Sequence, residues 1–178
     1  MKRIFILFTF FNFLIGFSQD KQFVLTQTAF TDYVITDISG AKKDKIYKKT
    51  LEWISKKFKS DEVIKSKIPN EFIRAIGVDK LYCTIDDYSE DKHVYCYPTK
   101  FEIEISFKDG KYKFDPISFK IYVGSGQGWN DLTIMTNTET YYNDSLRIPE
   151  HQRVTYYLNQ LNTSLKEFIL GKDKSNNW

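Results

Sequence analysis

The chain has 178 residues, of which 26 are Lys or Arg and 23 are Asp or Glu, so its formal net charge is +3. Aromatic residues make up 17% of it, and it contains two Cys and two His. A chain of this length fits one domain, and a charge so close to neutral gives no electrostatic reason to expect nucleic acid as a partner.

The first 18 residues have the features of a signal peptide. Lys2 and Arg3 form a basic start, residues 4–15 are mainly apolar, and the small residue Ser18 favours cleavage before Gln19. An uncleaved anchor is the alternative, but a spanning helix needs about 20 apolar residues and this segment is shorter. We therefore expect an exported protein, periplasmic or secreted, with no membrane span in the mature chain. Loss of the two basic residues lowers the formal charge from +3 to +1.

The mature chain divides into a lead-in arm at 19–31, a single domain at 32–171 and a loose tail at 172–178. Residues 32–38 alternate as a strand does, and Ser39 is a candidate N-cap for a helix at 42–59. An apolar stripe with helical spacing runs along that helix, and we expect its four members to be buried: Tyr47, Leu51, Ile54 and Phe58.

The middle of the chain is predicted to be β-structure. Segment 60–70 is polar and is predicted to be a loop, and two strands follow at 72–78 and 81–86, joined by a tight turn near Asp79. A further strand at 93–97 comes after an acidic turn, and Pro98 predicts a break or a bulge before the next strand.

The clearest pattern is a hairpin formed by residues 101–107 and 112–123 around Asp109-Gly110. Asp-Gly suits a two-residue type I′ turn, which pairs Phe107 with Tyr112 and Ile105 with Phe114. The alternation then changes phase at Asp115-Pro116, which predicts a bulge there. One extra residue would bring Ile103 opposite Ile117 and Phe101 opposite Phe119, so that the apolar face stays continuous.

The last third begins with a long connection at 124–147, which includes a Gly-rich loop at 124–128 and a candidate short strand at 132–135. A helix is predicted at 150–170, with Gly171 as its C-cap. Its apolar stripe consists of Val154, Leu158, Leu161, Leu165 and Phe168. This order of elements predicts an α+β fold, in which a curved antiparallel sheet of about five strands is covered on one face by an N-terminal and a C-terminal helix.

The two cysteines are predicted to form a disulfide. An even-sized turn centred on residues 89–90 pairs Cys83 with Cys96 and Ile85 with Val94, and export places the chain where disulfides form. Directly opposed residues on antiparallel strands lie within the range that a disulfide accepts. The alternative is two buried thiols, and an odd-sized turn would send the two side chains to opposite faces.

The face of the sheet away from the helices is the best candidate for binding, because tyrosines with mixed charges suit recognition of a protein or a glycan. A solvated face that carries Tyr for strand propensity is the equally open alternative. The candidate binding residues are Tyr82, Tyr95, Tyr97, Glu102, Glu104 and Tyr122.

No catalytic residue, metal ligand or cofactor is predicted. Gly124, Gly126 and Gly128 follow a strand as phosphate loops do, but the GxGxxG spacing and a Walker Lys are missing. The histidines, His93 and His151, form no HxxxH or HExxH pair. The acidic segment 86–91 lacks the spacing of a calcium loop and is interpreted as a solvated turn. A triad is spatial, so a small hydrolase with its site near loop 124–128 stays the alternative function.

Ser145 is a candidate for glycosylation. Asp144-Ser145-Leu146 resembles the short Asp-Ser/Thr-apolar motif at which Bacteroidetes-type bacteria O-glycosylate exported proteins, and we expect it in an exposed loop.

Several short motifs within residues 34–122 resemble a family of secreted proteins of unknown function from Bacteroidetes-type bacteria. They are the helix segments 44–47 (Asp-Lys-Ile-Tyr) and 51–54 (Leu-Glu-Trp-Ile), the strand end 75–77 (Ala-Ile-Gly) and the hairpin 107–112 (Phe-Lys-Asp-Gly-Lys-Tyr). The resemblance implies a fold like that of the TATA-binding protein and carries over no activity or catalytic residue. The sequence thus favours an exported, non-catalytic binding or structural module of the cell envelope, with an unidentified envelope protein or glycan as its partner.

Overall fold

The computed structural model describes residues 21–25, 30–58, 63–86, 93–122, 124, 126–132 and 144–172, without the side chains of 84–86, 93–95 and 144–152. Within these ranges six strands form one antiparallel sheet in the order β1-β5-β4-β3-β2, and β6 pairs with the far end of β5. The elements in chain order are β1 (Val34–Asp37), α1 (Lys43–Phe58), β2 (Ile64–Ile68), β3 (Phe72–Asp86), β4 (His93–Lys108), β5 (Lys111–Tyr122), β6 (Trp129–Asp131) and α2 (Asp144–Ile169). The predicted α+β class is confirmed.

The β4–β5 hairpin has the register that Asp109-Gly110 predicts, with Phe107 opposite Tyr112 and Ile105 opposite Phe114. Gly110 has a φ of 76°, which a residue without a Cβ adopts at no steric cost. The bulge also exists, and Phe101 faces Phe119 as predicted.

The predicted position of that bulge is wrong by one residue. Ile103 pairs with Pro116, and Ile117 is the extra residue, with 43% of its surface exposed instead of facing Ile103. Pro116 has no N–H to donate to the ladder, which explains why the irregularity comes next to it.

The predicted turn near Asp79 is absent, and the predicted loop 60–70 is in part a strand. Residues 72–86 form a single strand, β3, without a turn near Asp79, and β4 continues through Pro98. The β3–β4 ladder passes from Asp79 opposite Thr99 to Tyr82 opposite Tyr97, so β3 has one residue more than β4 at Pro98. The proline therefore produces a bulge and not a break. Part of the predicted loop 60–70 is the edge strand β2, and the short strand after the Gly-rich loop lies at 129–131, not at 132–135.

Helix α1 buries a stripe that is rotated from the predicted one. Tyr47 and Ile54 are buried as predicted, but Leu51 and Phe58 are only half-buried at its margin. The other buried positions are Ile46, Thr50 and Trp53, at i, i+4 and i+7. The hydroxyl of Thr50 donates to the Ile46 carbonyl at 2.9 Å, which makes a polar side chain acceptable in the core.

The start of α1 is capped from the hairpin, not by Ser39. The N–H of Lys43 donates to Asp109 Oδ1 at 2.9 Å, and Gly110 donates its N–H to the Ala41 carbonyl at 2.8 Å. A side chain 66 residues away thus supplies the acceptor that the helix N-terminus needs.

Helix α2 begins at Asp144, before the predicted residue 150, and its predicted apolar stripe is buried throughout. At its end Gly171 has a φ of 70°, and the N–H groups of Gly171 and Lys172 donate to the carbonyls of Phe168 and Glu167. This is the Schellman arrangement, and it confirms Gly171 as the C-cap.

A buried polar contact joins α2 to the sheet. Asn162, which is 6% exposed, accepts a hydrogen bond from the Tyr112 hydroxyl at 2.8 Å and donates to Thr36 Oγ1 at 3.0 Å. Helix α1 is linked to α2 by Trp53 Nε1, which donates to Ser164 Oγ at 3.1 Å. Because every one of these buried groups has a partner, the contacts specify how the helices sit on the sheet.

Replacement of Gly77 by Ala is expected to destabilise the protein by about 1–3 kcal/mol, as overpacking of a filled core does. Gly77 lies opposite Phe101, and a Cβ at Gly77 would run into the Phe101 ring, which is fully buried. Gly126→Ala is the matched control, since a Cβ there meets nothing within 4 Å. Urea denaturation of both variants checks this, and a Gly77→Ala midpoint equal to that of Gly126→Ala would contradict it.

The loss of folding stability at alkaline pH is expected to depend on Tyr157. Burial, together with Asp79, raises the pKa of Tyr157, so its neutral form is favoured in the folded state. The contribution of neutral Tyr157 to the free energy of unfolding is therefore complete below the unfolded-state pKa of about 10, and it is lost as the pH rises above that value. Thermal melts between about pH 8 and pH 11 should show a smaller fall in stability for Tyr157→Phe than for the parent. The control variant Tyr156→Phe changes a residue that is 65% exposed and should follow the parent.

Candidate binding surface

Both helices pack on the same side of the sheet, and no helix of the described residues covers the other side. Because side chains alternate along a strand, the residues between the core positions point to this second side. We call it the helix-free face. Its members on the long strands and β6 include Arg74, Ile76, Val78, Lys100, Glu102, Glu104, Lys113, Asp115, Lys120, Tyr122, Trp129 and Asp131.

The middle of the helix-free face is filled by an ion network. Arg74 Nη2 contacts Glu104 Oε2 at 2.6 Å, and its Nε lies 3.6 Å from Glu102 Oε1. Lys65, from the edge strand β2, binds the other oxygen of Glu102 at 2.9 Å. Glu102 is left only 9% exposed, which is acceptable for a carboxylate because Lys65 donates a hydrogen bond to it and Arg74 adds a second positive charge.

The network extends to β5 through Lys113, which binds Asp115 at 2.6 Å. The hydrogen bond from Arg74 to Glu104 raises the pKa of Arg74, and the hydrogen bond from Lys113 to Asp115 raises that of Lys113. Both bases therefore stay charged. Glu102 and Glu104 lie on the predicted face and are paired with Lys65 and Arg74, and their role in binding a partner stays a prediction.

The predicted tyrosines do not form one surface with the two glutamates. Tyr82 and Tyr97 are half-buried and contact each other with ring centroids 6.2 Å apart. Since β4 runs unbroken, strand alternation places Tyr97 on the opposite side of β4 from Glu102. Tyr95 pairs with Thr84 in the ladder, and its side chain lies outside the described part.

Tyr122 belongs to a cluster of which the sequence pattern predicted only this one residue. Its ring lies 5.5 Å from that of Trp129, at an interplanar angle of 60°. Lys100 Nζ sits 4.6 Å from the centroid of the Trp129 ring, on the face of the sheet that also carries the exposed side chain of Val78. We call these four residues the aromatic corner. The sequence signal for this cluster was Trp129, just after the Gly-rich loop, because a Trp in a polar segment is seldom without a packing or binding role.

The Gly-rich loop is the turn that positions Trp129. Gly124 and Gly128 have φ values of 109° and 67°, and the N–H of Gly128 donates to the Gly124 carbonyl at 3.2 Å. The chain then enters β6, where Trp129 pairs with Tyr122. Because a strand and not a helix follows the turn, its geometry differs from that of a phosphate loop.

Cys83 and Cys96 are joined by a disulfide with an S–S distance of 2.10 Å. The predicted register is confirmed, since Cys83 faces Cys96 and Ile85 faces Val94. The β2–β3 pairing stops at Ala75 and the β4–β5 pairing at Thr99, so the disulfide lies in a two-stranded extension of the sheet. A two-stranded ribbon is marginal without support, and the covalent link supplies it.

The remaining candidates lie largely outside the described residues. Ser145 falls in the first turn of α2, not in a loop as expected, and its side chain is not described. The side chains of His93 and His151 and most of the acidic turn, residues 87–92, are likewise not described. In the described ranges no three His, Cys, Asp or Glu side chains cluster as metal ligands do.

Comparison with known proteins identifies the family. Residues 33–121, half of the chain, match the domain of unknown function DUF4468, which has a TBP-like fold. The chain belongs to the DUF4468 family. The resemblance seen in the sequence is thus confirmed, and the matched region runs from β1 to β5, through the whole helix-free face except β6 and Tyr122.

Two solved structures share the fold of this DUF4468 protein. A DUF4468 family protein from Bacteroides ovatus superimposes with a TM-score of 0.56 at 10% identity, over 87% of this chain and 96% of the other. A TBP-like protein from Parabacteroides distasonis gives a TM-score of 0.51 at 12% identity, over 79% and 92%. No curated protein matches the chain. Among the described residues, no helix is long and apolar enough to cross a membrane.

The disulfide is expected to persist in the purified mature protein. Titration of the denatured, unreduced chain should therefore find no free thiol, whereas two per chain would contradict the bond. Reduction should speed amide exchange in the β3–β4 extension while the rest of the sheet stays protected, because only the extension depends on the link.

Proposed function

We propose that this DUF4468 protein is an exported, non-catalytic binding or structural module of the cell envelope and that it binds its partner through the helix-free face. The observation that carries the proposal is the placement of exposed apolar side chains. Ten large apolar residues are exposed in the described part of the chain, and six of them lie on this face: Tyr33, Ile35, Ile68, Val78, Tyr122 and Trp129.

These six residues form two groups, one at each end of the face, with the ion network between them. One group is the aromatic corner, and the other surrounds the hairpin end, where Lys113 Nζ lies 5.3 Å from the Tyr33 ring centroid. Exposed apolar groups beside polar ones are typical of recognition surfaces. The network in the middle, already neutralised internally, separates the two groups without adding free charge of its own.

Export is supported by two independent features. The N-terminal 18 residues have the composition of a signal peptide. The disulfide between Cys83 and Cys96 is of the kind that persists in oxidising compartments and is rare in the cytosol. The described contacts around the Gly-rich turn include an aromatic pair, the contact of Lys100 with Trp129 and the ion pair of Lys120 with Asp131, which favours binding over hydrolysis at this end.

Site-specific photo-crosslinking in cells tests the proposal. A photoreactive residue at Val78, which is 58% exposed on the helix-free face, is expected to give a discrete crosslinked product. The matched control carries the same residue at Tyr156, which is 65% exposed on α2. If Val78 gives no product, or if the Tyr156 position gives the same one, the helix-free face is not the binding surface.

A further inference from the structure

We propose that the aromatic corner binds an anionic saccharide, with one sugar ring stacked against Trp129 and the acidic group of the sugar bound by Lys100. This proposal rests on the proposed function, because it names the class of ligand for one end of the helix-free face. It draws on three observations: an unneutralised cation, an exposed pair of rings, and the limited area available beside the ion network.

The cation is Lys100, which lies opposite Lys120 in the β4–β5 ladder. Like charges that face each other across two strands are unfavourable. Lys120 is compensated by Asp131, with 3.1 Å between Nζ and Oδ1. Lys100 has no carboxylate within 4.0 Å among the described residues and rests on the Trp129 ring instead.

The nearest acid on the same side of β4 does not compensate Lys100. Glu102, two residues along, contacts Lys65 through one oxygen and Arg74 through the other. The aromatic corner therefore holds a positive charge that the described part of the chain leaves unpaired. An anionic ligand would complete this arrangement by a charge-assisted hydrogen bond.

The rings provide the second half of the site. Trp129 is 36% exposed and Tyr122 is 38% exposed, although both are large and apolar. The flat C–H face of a pyranose packs against such a ring while its hydroxyls stay in contact with water. No described residue accepts a hydrogen bond from the Tyr122 hydroxyl, so this group can bind a sugar hydroxyl.

The area available favours a saccharide over an acidic protein. A stable protein interface buries about 800 Å² on each partner. A contact that large, centred on Trp129, would extend over Glu102 and Glu104 and remove water from ion pairs that are already satisfied, which is costly. One or two sugar rings need a much smaller contact than a protein does, so they can bind at Lys100 and Trp129 without covering the network.

Isothermal titration of the mature, disulfide-bonded chain tests the proposal. Trigalacturonate and mannose 6-phosphate are the anionic probes, cellotriose is the neutral probe, and polyglutamate stands for an acidic protein. At least one anionic probe is expected to bind below about 10 mM, and cellotriose about tenfold more weakly. Lys100→Gln should abolish this preference, because the variant loses the charged donor. Trp129→Ala should weaken every probe about tenfold. Lys48→Gln and Tyr156→Ala, at exposed positions on the two helices, are the matched controls and should bind as the parent does.

Four results would overturn the proposal. They are no binding of either anionic probe, equal binding of the neutral probe, an unchanged preference in Lys100→Gln, and tighter binding of polyglutamate than of the sugars, which would indicate an acidic protein partner. If Trp129→Ala fails to fold, the binding preference of Lys100→Gln still tests the proposal. A crosslink at Val78 without saccharide binding removes this inference and leaves the proposed function, whereas loss of both removes both.

Discussion

The turn at Asp109-Gly110 is the constraint on which the rest of the structure depends. It sets the β4–β5 register, and it also joins the sheet to α1, since Asp109 caps Lys43 and the Gly110 carbonyl accepts the N–H of Ile38 at 2.7 Å. Side chains alternate with a period of two, so a slip of one residue in β4 would turn the core side chains of that strand to the opposite face. The same slip would place the carboxylates of Glu102 and Glu104 in the core, without Arg74.

Pro116 and Pro98 each lie next to a bulge, and the two bulges mark where the sheet changes. Next to Pro116, the extra residue Ile117 changes the phase of β5, which keeps Phe119 in the core and directs Tyr122 to the helix-free face. Opposite Pro98, the extra residue in β3 marks the start of the disulfide-bonded extension. A residue that cannot donate to the ladder thus sets both boundaries. Without the β5 bulge, the aromatic corner could not face the same side as the ion network.

The two sides of the sheet satisfy their polar groups differently. On the helix side, Asn162 and its neutral partners hold α2 in place at full burial. On the helix-free face, charged side chains pair with one another across four strands and stay partly in water. Surface ion pairs contribute little to stability. The network fills the middle of this face, and the exposed apolar groups of the described residues lie at its ends.

The sequence by itself determined the features that arise from short-range periodicity. The Asp-Gly turn, the pairing of Cys83 with Cys96, the buried stripe of α2 and the position of Tyr122 follow from alternation and turn chemistry within one hairpin or helix. The tertiary structure alone decided which stripe of α1 is buried, that the polar segment containing Lys65 is an edge strand, and that Lys100 meets Trp129. These features depend on neighbours that are distant in the chain. Whether Leu51 or Thr50 is buried depends on where α2 packs against α1. The polar edge strand forms because the backbone groups along one edge of β3 are available to pair with it.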